Sequence, residues 1–159
     1  MTPGARIAAA IEILEKIEHS SSSGEDLVTA YLRNRRFIGS KDRRYITELI
    51  FGIQRRKARL DWITGVKEPR IRVIADLFLL KHITKTELTK LFNGEGYSPN
   101  KLMTKELKLL DQITDKSFEN IDYPPEIATE LPDWIAAILI EYWGINFKNE
   151  ARALNHPAS

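Results

Sequence analysis

The 159 residues contain no cysteine, which excludes a disulfide framework, a thiolate metal site and a cysteine nucleophile. Histidine is nearly as scarce, and His19, His82 and His156 share no metal-ligand spacing. Each is read as a surface or satisfied interior imidazole, and no metal is expected. No apolar run approaches the roughly 20 residues of a membrane helix. The opening run Ile7 to Leu14 is interrupted by Glu12 and followed by Glu15. With no small-residue cleavage site after it, the run argues against a signal peptide and for the cytoplasm. Alternating Val, Thr or Tyr runs and Asn-Gly hairpin turns are missing, so strands are not expected. Gly39-Ser40-Lys41 lacks the glycine spacing of a phosphate loop and Gly94-Glu95-Gly96 follows no strand; both read as turns.

What is present is helical periodicity. The hydrophobic fraction of 43% and charged fraction of 29% are those of an ordinary soluble globular chain, long enough for one domain with a core and a short appendage. Thr2 and Pro3 predict a helix start, with Ile7, Ile11, Leu14 and Ile17 recurring on one face as far as about His19. Ser23 caps a second helix that carries Glu25 and Asp26 in its first turn and buries Leu27, Val28, Tyr31 and Leu32. Ser40 is the expected cap of a long third segment, in which Ile46, Leu49, Ile50, Ile53 and Leu60 share a sector of about 100°. Lys57 projects into that apolar sector, so its stem snorkels or the helix bends or ends near it. Gly65 and Pro69 mark the next connection, and Ile71 to Ile83 is the most apolar run, the expected central helix. A short helix over 86–92 and another from Ser98-Pro99 to about Ile113 follow. Residues 115–125 read as a linker with two consecutive prolines. Beyond it, a helix from Pro132 through Trp134, Tyr142 and Trp143 and a last piece from Asn146 close an all-α chain.

Charge is unevenly spread. Residues 1–60 are net +5, residues 61–114 net +2 and residues 115–159 net −5, so the two ends suit different partners. Within Arg33 to Arg59 there are ten basic residues and two acids, Asp42 and Glu48. Arg33, Arg35, Arg36, Lys41, Arg43, Arg44, Arg55, Arg56 and Arg59 are the candidate phosphate contacts, and Phe51 and Trp62 the candidate stacking platforms. A charge run also forms an ordinary solvated face, with arginine stems covering the edge of a core. The density of cations here exceeds that need, and nucleic-acid binding is the favoured reading. Glu48 lies four residues after Arg44, which makes it a helix-surface ion pair rather than a general base. No catalytic constellation is found.

The order of segments resembles a known family. TPGARIAAAIEIL, then RRFIGSKDRRYITELIFGIQRRKARLDWI, then YPPEIATELPDWI and EARALNHPA look like the N-terminal region of the RsmB (Sun, Fmu) family of rRNA cytosine-C5 methyltransferases. The most specific part is Asp42-Arg43 leading through Leu49 and Gly52 to Arg55-Arg56 and Leu60-Asp61, the pattern of NusB-like helical domains. The resemblance implies a NusB-like RNA-binding bundle over 1–114, a linker over 115–125, and a helical bridge over 126–159 into a methyltransferase portion further downstream. It further implies that the parent enzyme transfers a methyl group from S-adenosylmethionine to small-subunit rRNA. The cofactor pocket and two catalytic cysteines would lie in that downstream portion, so no residue here is assigned to catalysis or cofactor. Small-subunit rRNA and the methyltransferase portion itself are the implied partners. One departure stands out: free-standing NusB factors carry an arginine-rich first helix, whereas the first helix here has only Arg6 and Lys16. A protein-docking module anchored by Trp134, Tyr142 and Trp143, and a free-standing NusB-type antitermination factor, are the alternatives.

Overall fold

A computed structural model describes residues 1–130 together with 138 and 141. Its described residues form helices and no strand, in agreement with the all-α expectation. Helix α1, Pro3–Glu18, opens as the sequence predicts: the Thr2 hydroxyl accepts the Ala5 N–H at 3.1 Å and Pro3 fills the first helical position. Helix α2, Gly24–Arg33, is capped by Ser23, which accepts from Asp26 N–H. Helix α3, Ser40–Arg55, begins one position earlier than expected. Gly39 occupies the cap and makes no side-chain bond, so Ser40 is the first helical residue.

The helix break expected near Lys57 falls at Arg56. That residue leaves helical geometry at φ −104° and ψ 9°, and its N–H is shared between the carbonyls of Gly52 and Ile53. Helix α4, Lys57–Thr64, restarts immediately. The break keeps Lys57 out of the apolar sector, and its ammonium reaches Glu18 at 2.9 Å while Leu60 stays in the core. Gly65 ends α4 in the left-handed region at φ 70°, a conformation that favours glycine.

Helix α5, Pro69–Leu79, is the central helix: every residue from Ile71 to Leu77 is buried, and it packs on α1, α3 and α4. It stops four residues before the expected end at Ile83. Helix α6, Lys85–Leu91, starts in a capping box between Thr84 and Glu87. Helix α7 is Thr104–Ile113, not the longer helix expected from Ser98. Residues 93–103 instead form a folded connection in which Gly94 N–H donates to Pro99 O and Ser98 N–H to Glu95 O.

The stretch expected to be a linker packs on the bundle. A 3-10 turn, Phe118–Asn120, and helix α8, Pro125–Ala128, follow α7, with Phe118 and Tyr123 buried. Tyr123 donates its hydroxyl to Phe118 O at 2.9 Å and stands edge-on to Trp62, ring centres 5.3 Å apart. Two aromatic rings hidden in a polar, proline-marked segment are why composition alone reads it as a tether. The bridge helices and their Trp134, Tyr142 and Trp143 lie outside the described residues. Among the described residues, no helix is long and apolar enough to cross a membrane.

Candidate nucleic-acid interface

The candidate cations divide into two populations with different jobs. Three belong to the interior scaffold. Arg56 donates from Nε and Nη2 to Asp76 Oδ1 at 3.0 and 2.7 Å, and Asp76 is fully buried on α5. Burial pushes the Asp76 carboxyl up, and Arg56, with a smaller contribution from the Lys81 charge, only partly offsets this; the second carboxylate oxygen has no hydrogen-bond partner among the described residues. Arg59 donates to Glu130 at 2.8 Å, lies 3.6 Å from Glu119 and stacks on the Phe118 ring at 4.7 Å. It therefore fastens the 118–130 segment to α4. Arg43 donates to the carbonyls of Ile38 and Arg35 at 2.7 and 3.1 Å, which ties down the connection between α2 and α3.

Arg35 is intermediate. Its guanidinium covers the Tyr31 ring at 3.5 Å and sits 3.6 Å from Glu12. Glu12 also accepts the Tyr31 hydroxyl at 2.9 Å. Burial and that bond push the Tyr31 phenol up to about 12, so it is uncharged at neutral pH.

The second population faces water. Arg33, Arg36, Lys41, Arg44 and Arg55 are exposed. Arg44 donates to Glu48 at 2.8 Å, the surface pair its four-residue spacing predicts. The side chains of Arg33, Arg36, Lys41 and Arg55 make no hydrogen bond, ion pair or ring contact with any described residue. At ~100° per residue, Lys41, Arg44, Glu48 and Arg55 fall within about 60° of one another on α3, and the stripe runs ~21 Å along its axis. Arg33 and Arg36 add charge at its N-terminal end, where α2 turns into α3. These groups are free to exchange hydration and counterions for phosphates, which Arg56 and Arg59 cannot do without leaving a buried carboxylate unpaired, nor Arg43 without releasing the carbonyls of Ile38 and Arg35.

The two candidate stacking residues fare differently from the cations. Phe51 is half-buried and packs against the core. Trp62 is 46% exposed with one edge contact to Tyr123. Among the described residues, the large aromatics that stand farthest into water are instead Phe37, at 79%, and Tyr97, at 88%, neither of which sequence reasoning selected. Both occupy connections between helices, where periodicity does not report which way a side chain points.

Two further ionic clasps also escaped the sequence. Arg72 makes paired bonds to Asp61 at 2.6 and 3.0 Å and a third bond to Glu18. Burial, which favours the neutral form, is outweighed by these carboxylates, so its guanidinium is held above the ordinary value. Arg70 makes paired bonds to the buried Glu106 and also reaches the carbonyls of Asn100 and Lys101. Burial would raise the Glu106 carboxyl, but the bonds from Arg70 and Met103 N–H hold it below the usual range.

Among the described residues, no group of three or more His, Asp or Glu side chains is arranged to hold a metal ion. The side chains that the described residues bring to this face are cationic and aromatic. Compared with known proteins, the chain matches no protein family, no curated protein and no solved structure.

Proposed function

We propose that this chain is the RNA-binding accessory part of an S-adenosylmethionine-dependent small-subunit rRNA cytosine-C5 methyltransferase of the RsmB type. It binds rRNA through its basic helical face and does no chemistry itself. The supporting observation is the set of unpartnered cations on the α2–α3 corner and the outer face of α3. A soluble bundle needs charge for solubility, but it does not need four uncompensated cations beside a fifth that has only one surface acid. The NusB-like pattern of segments supplies the link to rRNA methylation. S-adenosylmethionine and the methyl transfer belong to the downstream portion that this reading supposes, and the cysteine-free sequence leaves that chemistry no nucleophilic thiol here.

The test is binding to small-subunit rRNA fragments over a salt series. A variant combining Arg33→Glu, Arg36→Glu and Lys41→Glu removes exposed cations whose side chains have no partner among the described residues, so the bundle is expected to keep its fold. The slope of log affinity against log salt should fall by about two to three units, close to one per lost phosphate contact. If the circular dichroism spectrum is unchanged and the slope is too, the face is not an RNA site.

A further inference from the structure

A groove of about 1420 Å³ opens beside the basic corner. Its floor is the first two turns of α1. One wall comes from Tyr31 at the end of α2 and from Arg35 and Phe37 in the connection to α3, and the other from the end of α6 and the 93–98 connection with Leu91 and Tyr97. We propose that this groove takes single-stranded RNA, with unpaired bases stacking on Phe37 and Tyr97 while Arg33, Arg36 and Lys41 hold the neighbouring phosphates. This rests on the RNA-binding reading above and sharpens it: the ligand is an unpaired strand rather than a duplex.

Three observations carry it. First, two large aromatic rings from separate connections are held out in water at the same groove, at 79% and 88% exposure. Second, neither ring is there through slack backbone. Phe37 is followed by the buried Ile38, and Arg43 bonds the carbonyls on both sides of it, those of Arg35 and Ile38. Tyr97 sits in a turn closed by the bonds Ser98 N–H to Glu95 O, Glu95 N–H to Asn93 Oδ1 and Gly94 N–H to Pro99 O. Gly94 and Gly96 take positive φ within that turn, at 71° and 56°. With the backbone beneath each ring anchored, only side-chain rotamers remain to be ordered when a base stacks, and stacking tolerates any base. Third, the charge complements a polyanion. Arg33, Arg36 and Lys41 flank Phe37 in sequence and have no partner among the described residues. Of the groove's acids, Glu12 is already engaged by Tyr31 and Arg35, which leaves Glu95 against Lys90 and the corner cations. A duplex keeps its bases stacked inside and offers no faces to Phe37 or Tyr97.

The experiment uses the full chain and fluorescence anisotropy with two probes, an unstructured RNA strand of about 12 nucleotides and a duplex of the same length. Wild type is expected to prefer the single strand. Phe37→Ala and Tyr97→Ala should each weaken single-strand binding at least five-fold, the lower end of what one base–ring stack contributes. Duplex binding and the salt slope should stay within two-fold of wild type, and Phe37→Tyr should restore single-strand affinity. Both rings are exposed, so their loss does not threaten the core. Equal affinity for strand and duplex, with both alanine variants unchanged, overturns the groove while leaving the basic-face reading intact. Binding of neither RNA defeats both. Loss of self-association in the alanine variants without loss of RNA affinity assigns the rings to a contact between copies and overturns the proposal.

Discussion

Arg56→Met isolates the scaffold role of a residue that charge counting places on the binding face. The substitution keeps a stem of similar length and removes both bonds to Asp76 Oδ1, at 3.0 and 2.7 Å. The other oxygen of Asp76 already has no hydrogen-bond partner among the described residues, so the carboxylate is left buried without a hydrogen bond to either oxygen and with only the charge of Lys81 to favour it. Breaking a buried pair in this way costs about 3–5 kcal/mol. Protonation sets a ceiling on the charge part of that loss: holding an aspartate neutral at pH 7 against an ordinary value near 3.9 costs ~4 kcal/mol. The ceiling falls by ~1.4 kcal/mol for each pH unit downward. The sign follows from a folded-state value already raised by burial and raised further once Arg56 is gone. Stability is then fully present below the unfolded aspartate value and lost as pH rises through the folded one. Urea denaturation followed by circular dichroism should show a deficit of about 3–4 kcal/mol at pH 7 that shrinks to about 1–2 kcal/mol at pH 5. Adding Asp76→Leu should recover most of the deficit, because an apolar replacement of a buried pair is often neutral or stabilising. A deficit that does not change with pH, or one that persists in the double variant, refutes the charge argument and points to lost packing.

Gly52→Ala tests the same clasp from the helix beside it. A Cβ there would lie 2.8 Å from Arg56 Nη2, so the guanidinium must shift and its bonds to Asp76 are disturbed. A loss of about 1–3 kcal/mol is expected even though alanine gains ~1 kcal/mol in helix propensity; a rise in melting temperature would sink the idea. In the Arg56→Met background the same change should become stabilising, a non-additivity that marks shared partners. Arg72→Met removes the clasp joining α5 to Asp61 and Glu18 and should cost about 3 kcal/mol at neutral pH by chemical denaturation. The bonds from Lys57 and Arg72 hold the Glu18 carboxyl below its usual range. Its contribution is therefore present above the unfolded value and lost as pH falls through the folded one, a loss that should be smaller in Arg72→Met. Burial raises Glu130 to about 7 despite Arg59, so wild type should lose stability as pH rises from about 4.5 to about 7, by at most ~1.4 kcal/mol per unit. Glu130→Gln should flatten that slope, and a carboxyl titration in the ordinary range by carbon-13 NMR would rule the shift out.

Periodicity carried the fold a long way. The apolar sector Ile46, Leu49, Ile50, Ile53 and Leu60 is buried throughout. The one residue that violated it, Lys57, announced a break that the structure places at Arg56. Capping chemistry located the starts of α1 and α2. It misplaced α7, because Ser98-Pro99 satisfies the rule for a helix start while the carbonyls of Asn100 and Lys101 are taken by Arg70, which arrives from another helix. Such long-range donors leave no trace at the site they stabilise. Residues 115–125 failed for the complementary reason: their polarity describes the outer surface, and the two rings that anchor them are too few to register as a pattern.

Arginine is where sequence and structure part most sharply, and the cause lies in the side chain itself. Its long apolar stem and fixed fork of donors suit it equally to a wet phosphate and to a buried carboxylate, so a count of arginines cannot separate the two uses. The partner decides, and the partners of Arg56 and Arg59 lie 20 and 71 residues away. Lys41, by contrast, stays in water at the start of α3. The pattern Asp42-Arg43, Gly52, Arg55-Arg56, Leu60-Asp61 therefore reads physically as a fold signature. Arg43 holds a connection, Gly52 makes room for Arg56, Arg56 neutralises α5, and Asp61 receives Arg72. Only Arg55 among these points outward unpaired. Residues that define the scaffold can persist wherever the bundle persists, whatever it binds. On the function proposed above, selectivity for a ligand falls to those the scaffold does not need: the corner cations, and the rings of Phe37 and Tyr97.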